Sequence, residues 1–191
     1  MPKVVDHQQM RSAILEASYR LFAENDYASV TMQRVAEALG VSTGTLYHYF
    51  PTKQAIFRAL VEAVTDAEFD RATSVAAAAN DPQSRLAAYI TFLQANERSF
   101  QTNLLIMASV YRYRDELLTE DLLCRLGEKY REKIAAFIGS NDPELIQFVF
   151  SFFTGLIVQR MIFGEEVSFK GQTAYLLTML GKAVPSSELN R

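Results

Sequence analysis

The chain has 191 residues, 49% of them hydrophobic and 21% charged, with only 8 Gly and 5 Pro. That length holds one or two domains with an ordinary core. The composition excludes wholesale disorder and disfavours a turn-rich β-protein. Nineteen Lys and Arg against 22 Asp and Glu give a formal charge of −3, so no overall basicity announces a polyanionic partner.

In chain order, the apolar spacing is helical almost throughout. Ile14, Leu15, Ser18, Leu21 and Phe22 share one face of a first helix. Val35, Ala36 and Leu39 mark a short second helix. Thr31 is placed to cap it by accepting a first-turn N–H, and Gly40 is placed to end it in a left-handed conformation. Ser42 caps a third short helix that runs to about Tyr49, and Pro51-Thr52 breaks the chain before a long helix that starts near Lys53. Asp81-Pro82 and Asp142-Pro143 each put an acidic cap before a proline at the first helical position. Arg98 to Arg114 reads as helical with a break at an undefined place. Thr119 is a candidate cap for a helix that carries Leu122, Leu126, Tyr130, Ile134 and Ile138 and ends at Gly139. The last helix is expected near Gly171, with Tyr175, Leu176, Met179 and Leu180.

The informative stretch is TMQRVAEALGVSTGTLYHYFPTK, residues 31–53. Two short helices joined at Gly40 form a helix-turn-helix pattern, with small Ala36 at the crossing and apolar Leu46 pointing inward. The second helix opens Ser42-Thr43-Gly44-Thr45. Small polar side chains and a residue without one let a helix end approach a groove floor and bring free N–H groups near phosphate. Thr45 offers a hydroxyl to a base edge and a methyl to thymine. Tyr47, His48 and Tyr49 can bond phosphate oxygens, and Lys53 adds a cation. Three consecutive residues cannot share a helix face, so at least one of Tyr47–Tyr49 points outward, whereas Phe50 reads as core.

This run resembles the DNA-binding domain of the TetR family of bacterial transcriptional regulators. The resemblance rests on Ile14-Leu15-Glu16-Ala17, Leu21-Phe22-Ala23-Glu24, Tyr27, Thr31, Val35-Ala36, Gly40-Val41-Ser42, Gly44-Thr45-Leu46-Tyr47, Tyr49-Phe50, Lys53 and Ile56-Phe57. It implies an all-α, Ω-shaped homodimer of about nine helices per subunit. Residues 1–52 would form the DNA-binding domain and residues 53–184 a ligand-binding and dimerisation domain, with 185–191 a tail. By the same resemblance Gln33, Thr43, Gly44 and Thr45 reach base edges, while Thr31, Ser42, Tyr47, His48, Tyr49 and Lys53 hold phosphates. Two departures stand out. Asn25-Asp26 precedes Tyr27 where Gly is usual at the second position, so Asp26 is expected to tolerate left-handed φ. The second helix carries no Arg or Lys from Thr43 to Tyr49, which removes bidentate readout of guanine from it. Gln33 or Arg34 and DNA shape are expected to supply the remainder.

Pro143 to Phe163 is apolar nearly all round, and such a helix must be buried nearly all round. The expected burial is half within the subunit and half against a second copy. Together with residues 172–182 it would build a four-helix dimer interface, with Phe150, Phe153, Ile157, Tyr175 and Met179 as candidates. The candidate pocket lining between the middle helices is Phe92, Asn96, Leu104, Met107, Tyr111, Arg112, Phe148 and Phe152. The aromatic content, 13 Phe and 9 Tyr, points to an apolar or aromatic effector.

The expected mechanism is repression by a dimer on a palindromic operator, relieved when an effector moves the long helix from Lys53. The competing classes fare worse. The two histidines, His7 and His48, have no partner at metal spacing, and no nucleophile elbow, phosphate loop or dinucleotide fingerprint occurs. No catalytic residue, metal or cofactor is therefore expected. Lone Cys124 fits a reducing cytoplasm, and MPKVVDHQQM lacks the apolar core of a secretory leader. The most apolar stretch, Leu145 to Val158, falls short of the ~18–20 residues of a membrane span, so no membrane partner is expected. A protein-interaction module that uses the 143–163 helix without DNA is the remaining alternative.

Overall fold

A computed structural model describes residues 7–77, 79, 81–117 and 120–183. Among them are ten α-helices and no strand. The helices are α1 (His7–Glu24), α2 (Met32–Leu39), α3 (Thr43–Tyr49), α4 (Lys53–Ala76), α5 (Pro82–Ala95), α6 (Glu97–Arg112), α7 (Arg114–Leu117), α8 (Glu120–Ile138), α9 (Pro143–Phe163) and α10 (Phe169–Ala183).

The expected punctuation is present. The Asp81 carboxylate accepts the Ser84 N–H at 2.9 Å and the Asp142 carboxylate that of Glu144 at 3.0 Å, each ahead of a first-turn proline. Gly139, at φ 68°, closes α8. Thr119 lies outside the described residues. The last helix starts at Phe169, two residues before the expected glycine, because Ser168 Oγ takes the Gly171 N–H at 3.0 Å and serves as the cap. The undefined break falls at Tyr113, between α6 and α7. Asp26 sits at φ −61°, ψ 140°, so the turn before Tyr27 needs no left-handed residue, contrary to expectation.

The chain divides into two compact units, with divisions after Asp66, Gln101 and Cys124. The first comprises Met1–Asp66 and Thr102–Cys124. Its core combines Ile14, Phe22, Tyr27, Val35, Leu46 and Phe50 with Ile56, Phe57, Leu60 and Val61 of α4 and Ile106, Val110 and Leu117. The start of α4 buries its apolar side in the same core as the short helices, so it belongs with them. The second unit comprises Ala67–Gln101 and Arg125–Arg191. Its core is Leu86, Ile90, Leu93, Phe100, Leu126, Ile146, Val149, Phe153, Leu156, Ile157, Phe169 and Leu176.

Within the second unit Arg160 forks onto Glu97, Nε to Oε1 at 2.6 Å and Nη2 to Oε2 at 2.9 Å. A further N–H of Arg160 goes to the Val167 carbonyl, and its guanidinium lies 4.9 Å from the Phe169 ring centroid. Gly164, at φ 60° and ψ −135°, makes the turn between α9 and α10 in a region that side chains avoid.

Pro143–Glu166 is long and apolar enough to cross a membrane by length and composition, which the run of Leu145 to Val158 alone did not suggest. One face of α9 is core, through Ile146, Val149, Phe153, Leu156 and Ile157. The other carries Phe148, Phe150, Val158, Ile162 and Phe163 uncovered, and α10 adds Tyr175 and Met179 at 70% and 58% exposure. Two of the expected interface residues, Phe153 and Ile157, are thus interior, because they fall on the side of α9 turned to its own unit. Phe150, Tyr175 and Met179 are on the open side, and so is Phe148, which was expected in a pocket.

Candidate nucleic-acid interface

The geometry of the α2–α3 pair follows from a few local choices. Thr31 Oγ1 accepts the Arg34 N–H at 3.2 Å and starts α2. Gly40 stops it at φ 68°, ψ 29°. The Gly40 N–H reaches the Glu37 carbonyl at 3.1 Å and the Val41 N–H the Ala36 carbonyl at 3.0 Å, the paired bonds of a Schellman end. Ser42 Oγ then accepts the Thr45 N–H at 3.0 Å and lies 2.9 Å from its hydroxyl. Val35, Ala36 and Leu46 close the crossing, fully buried.

With Leu46 inward, the rest of α3 faces out. Thr43, Gly44, Thr45, Tyr47 and His48 are exposed, and so are Thr31, Gln33 and Ser42. Tyr49 is half-buried, its ring centroid 4.7 Å from that of His7. Gln33 donates to Glu37 at 2.9 Å across one helical turn on the surface. A Cβ built on Gly44 would meet only Ser42 Oγ, at an ordinary 3.7 Å, so nothing inside the domain demands a glycine there.

The cations are arranged otherwise than the sequence suggests. Arg34 is turned to the Ser29 carbonyl at 3.0 Å and Asn25 Oδ1 at 3.1 Å, and so holds the α1–α2 turn. Of the two side chains expected to supplement readout, Gln33 alone has no such tie to that turn. Arg11 donates to the Tyr49 carbonyl at 2.9 Å and stacks 4.1 Å from the Phe50 centroid, fixing the end of α3 to α1. Lys53 is half-buried; its Nζ donates to the Tyr27 carbonyl at 3.0 Å and stands 4.1 Å from that ring's centroid. The links of Arg11 and Lys53 are not legible in spacing, since they join residues 38 and 26 positions apart.

Tyr27 centres an aromatic cluster with Phe22, Phe57 and Tyr113 at centroid distances of 5.8, 5.0 and 5.0 Å. Its hydroxyl donates to Glu116 Oε1 at 3.0 Å. Burial first, and then that carboxylate, push the Tyr27 phenol well above the ordinary tyrosine range, so it stays a neutral donor. The Tyr113 hydroxyl donates to both oxygens of Asp26, at 2.9 and 3.0 Å, with Arg112 at 3.6 Å from the same carboxylate.

The residues suggested for a ligand pocket fall in both units. Phe92 and Phe152 are half-buried in the second, which holds a nest of rings: Tyr89 lies 4.8 Å from Phe137 and 5.1 Å from Phe153, and Phe152 5.4 Å from Phe153. The Asn96 amide is turned back to the Phe92 carbonyl at 2.8 Å at the end of α5. In the first unit, Leu104 and Met107 are half-buried, Tyr111 is 73% exposed and Arg112 faces Asp26. Exposure removes Tyr111 and Arg112 from an enclosed lining.

A short capped helix held crosswise on a second, with its polar first turn outward, defines a helix-turn-helix protein of the three-helix kind, followed by a larger helical body. Residues 14–60 match the profile of the family described as bacterial regulatory proteins, tetR family. Residues 14–60 thus form a DNA-binding domain of the TetR family type. The chain is 41% identical over 68 residues to the HTH-type transcriptional repressor Rv1474c of Mycobacterium tuberculosis, a match covering 35% of this chain and 36% of that one. Four of the curated relatives are spanned over only 28–37% of their own length, and the HTH-type transcriptional regulator BetI of Rhizobium meliloti, 26% identical, over 67%. Whole-chain likeness is structural. A TetR family transcription regulator from Marinobacter aquaeolei VT8 superposes with a TM-score of 0.69 at 20% identity, over 91% of this chain and 94% of that one. The multidrug binding protein EbrR, solved with imidazole, gives 0.69 at 18%, over 93% and 92%. At these identities the likeness concerns the fold.

Proposed function

We propose that this protein is a ligand-responsive transcriptional regulator that binds a palindromic operator as a homodimer and represses until an effector releases it. The observation that carries the reading is the first turn of α3. It presents Thr43, Gly44 and Thr45 to solvent, with a glycine that the domain itself does not need. A bare helix end is what a groove floor requires. Gln33, Thr43, Gly44 and Thr45 are assigned to base edges. Thr31, Ser42, Tyr47, His48, Tyr49 and Lys53 are assigned to phosphates.

Palindromic readout needs two reading heads. The uncovered apolar side of α9 and α10, with Phe148, Val158, Ile162, Phe163, Tyr175 and Met179, is the surface we assign to the second copy. Exposed apolar side chains on two helices that follow one another in the chain suit a four-helix interface, and apolar surface left open marks association sites. The ring nest about Tyr89, Phe92 and Phe152 favours a small apolar or aromatic effector. EbrR is named for multidrug binding, and repression is in the name of the Mycobacterium relative. The response is assigned to α4, one unbroken helix from Lys53 to Ala76. The effector must favour the conformation that does not fit DNA. Work on an operator places the protein in the cytoplasm.

The test is selection of bound sequences from random duplex DNA by the purified protein. Recovery of a palindrome is expected, and its half-site spacing gives the distance between reading heads. No enrichment, with or without extracts that contain small molecules, would overturn the reading.

A further inference from the structure

Lys53 is the sole Lys or Arg between Ser42 and Gln54. Its ammonium is placed twice by one residue, through the carbonyl of Tyr27 at 3.0 Å and through the face of its ring at 4.1 Å. Wherever Tyr27 stands, the cation stands. Tyr27 is 1% exposed, so its position is set by neighbours rather than by solvent.

One of those neighbours comes from α7, a helix of four residues. Such a helix has no stability of its own and lies where its contacts put it. Leu117, buried in the first unit, is sufficient as an apolar anchor. Glu116 does something else. Its Oε1 accepts the Tyr27 hydroxyl at 3.0 Å and the Gln54 amide at 2.7 Å. It thus grips the residue that holds the head of Lys53 and the residue next to Lys53 in the chain. Arg58, one turn further along α4, donates to the backbone carbonyls of Leu117 at 2.6 Å and Glu116 at 3.3 Å, which ties α7 to the same helix. Asp26, directly before Tyr27, is gripped in parallel by Tyr113 at the start of α7.

We infer that Glu116 is a positioning residue for DNA binding: it fixes Tyr27, and through Tyr27 the ammonium of Lys53, so that α7 sets operator affinity without touching DNA. The inference rests on the assignment of Lys53 to a phosphate. It differs from general support of the fold in acting through a single cation, and that difference is measurable.

The experiment is a double-mutant cycle on the selected operator, with E116A, E116Q, K53A and K53A/E116A, read as affinity across a salt series. K53A should weaken binding and shallow the salt dependence by about one contact. E116A should weaken binding about tenfold, the loss expected for one hydrogen bond to a charged acceptor. E116Q keeps a carbonyl acceptor for the phenol and should stay within about threefold of the parent on the same scale. On the K53A background, E116A should cost less than about twofold, because the group it positions is gone. An equal loss in both backgrounds, or no loss from E116A, would overturn the inference. The free protein gives a second readout. The Lys53 ammonium resonance should move in E116A and hold in E116Q, and an unmoved signal would overturn the positioning chain without reference to DNA. If the signal moves but K53A leaves affinity and salt dependence unchanged, the phosphate assignment is the step that failed, and the role in DNA binding falls with it.

Discussion

Replacing Gly44 with alanine separates what the domain needs from what a groove needs. A Cβ at this position meets Ser42 Oγ at 3.7 Å and nothing nearer, and the residue lies inside α3 with ordinary helical φ. The folded domain therefore accepts the methyl without strain. It should gain stability, since alanine restricts the unfolded chain more than glycine does, by about 0.5 kcal/mol for a first-turn site within the usual ~0.4–1 kcal/mol range. Binding should move the opposite way. A methyl forced into a closely fitted contact costs ~1–3 kcal/mol, and a two-headed dimer meets it twice. The expected loss is ~2–6 kcal/mol, about thirtyfold to more than ten-thousandfold at 1.4 kcal/mol per decade. Fluorescence anisotropy on the selected operator, with calorimetric melting of the same preparation, reads both. A variant that melts higher and binds as well as the parent would refute the close approach. A variant that melts lower would refute the claim of free internal space.

Three further outcomes follow from the geometry. Ile162→Glu or Tyr175→Glu places a charge on the open side of α9 or α10, where each native side chain is at least 66% exposed, and should shift sedimentation to monomer without lowering the helical content; Leu156→Glu, by contrast, strikes the unit's own core and should unfold it. Glu97→Ala leaves Arg160 partly enclosed without its partner and should destabilise the protein by about 2 kcal/mol, less than the ~3–5 kcal/mol of a fully buried pair because solvent reaches both side chains; urea melts that coincide with the parent would contradict it. Burial raises the phenols of Tyr27 and Tyr89 in the folded protein above the ordinary value of 10.0, so the stability they contribute is complete below that pH and is lost as pH rises through and beyond it. Each steepens the alkaline decline by up to ~1.4 kcal/mol per pH unit, and Tyr89→Phe should flatten the curve by one such component; an unaltered slope would count against the assignment.

The helix ends were legible because their causes are local. A cap needs an oxygen two or three residues from an N–H, so Thr31, Ser42, Asp81 and Asp142 could be read from order alone. Gly40 could be read likewise, from where the apolar period stops. Lys53 could not. Its partner is 26 residues away, and nothing in the spacing says whether a cation near a helix start faces solvent or an aromatic ring. Asp26 was read as a glycine substitute in backbone conformation, whereas its role is that of an acceptor for Tyr113 and a neighbour of Arg112. The faces of α9 were ambiguous for a different reason. Where Phe, Ile, Val and Leu occupy every side, periodicity carries no information about which side is inward, so Phe153 and Ile157 exchanged places with Phe148. The break expected within Arg98–Arg114 could not be placed at Tyr113 because α7 is held by contacts with Tyr27, Gln54 and Arg58 rather than by any stop signal of its own.

The apolar character of α9 has a consequence for biogenesis. As it leaves the ribosome, this helix offers the targeting machinery the length and greasiness of a membrane anchor. Its place late in the chain works against that error. Synthesis runs from the N-terminus and folding accompanies it, so α5, the start of α6 and most of α8 already exist when α9 emerges. Glu97 is waiting for Arg160, and the ring of Tyr89 for Phe153. One side of the helix can therefore be sequestered as it appears, and in the proposed dimer the other is covered when a second copy is met. On the proposed dimer, association would then serve to conceal this helix as much as to present two reading heads.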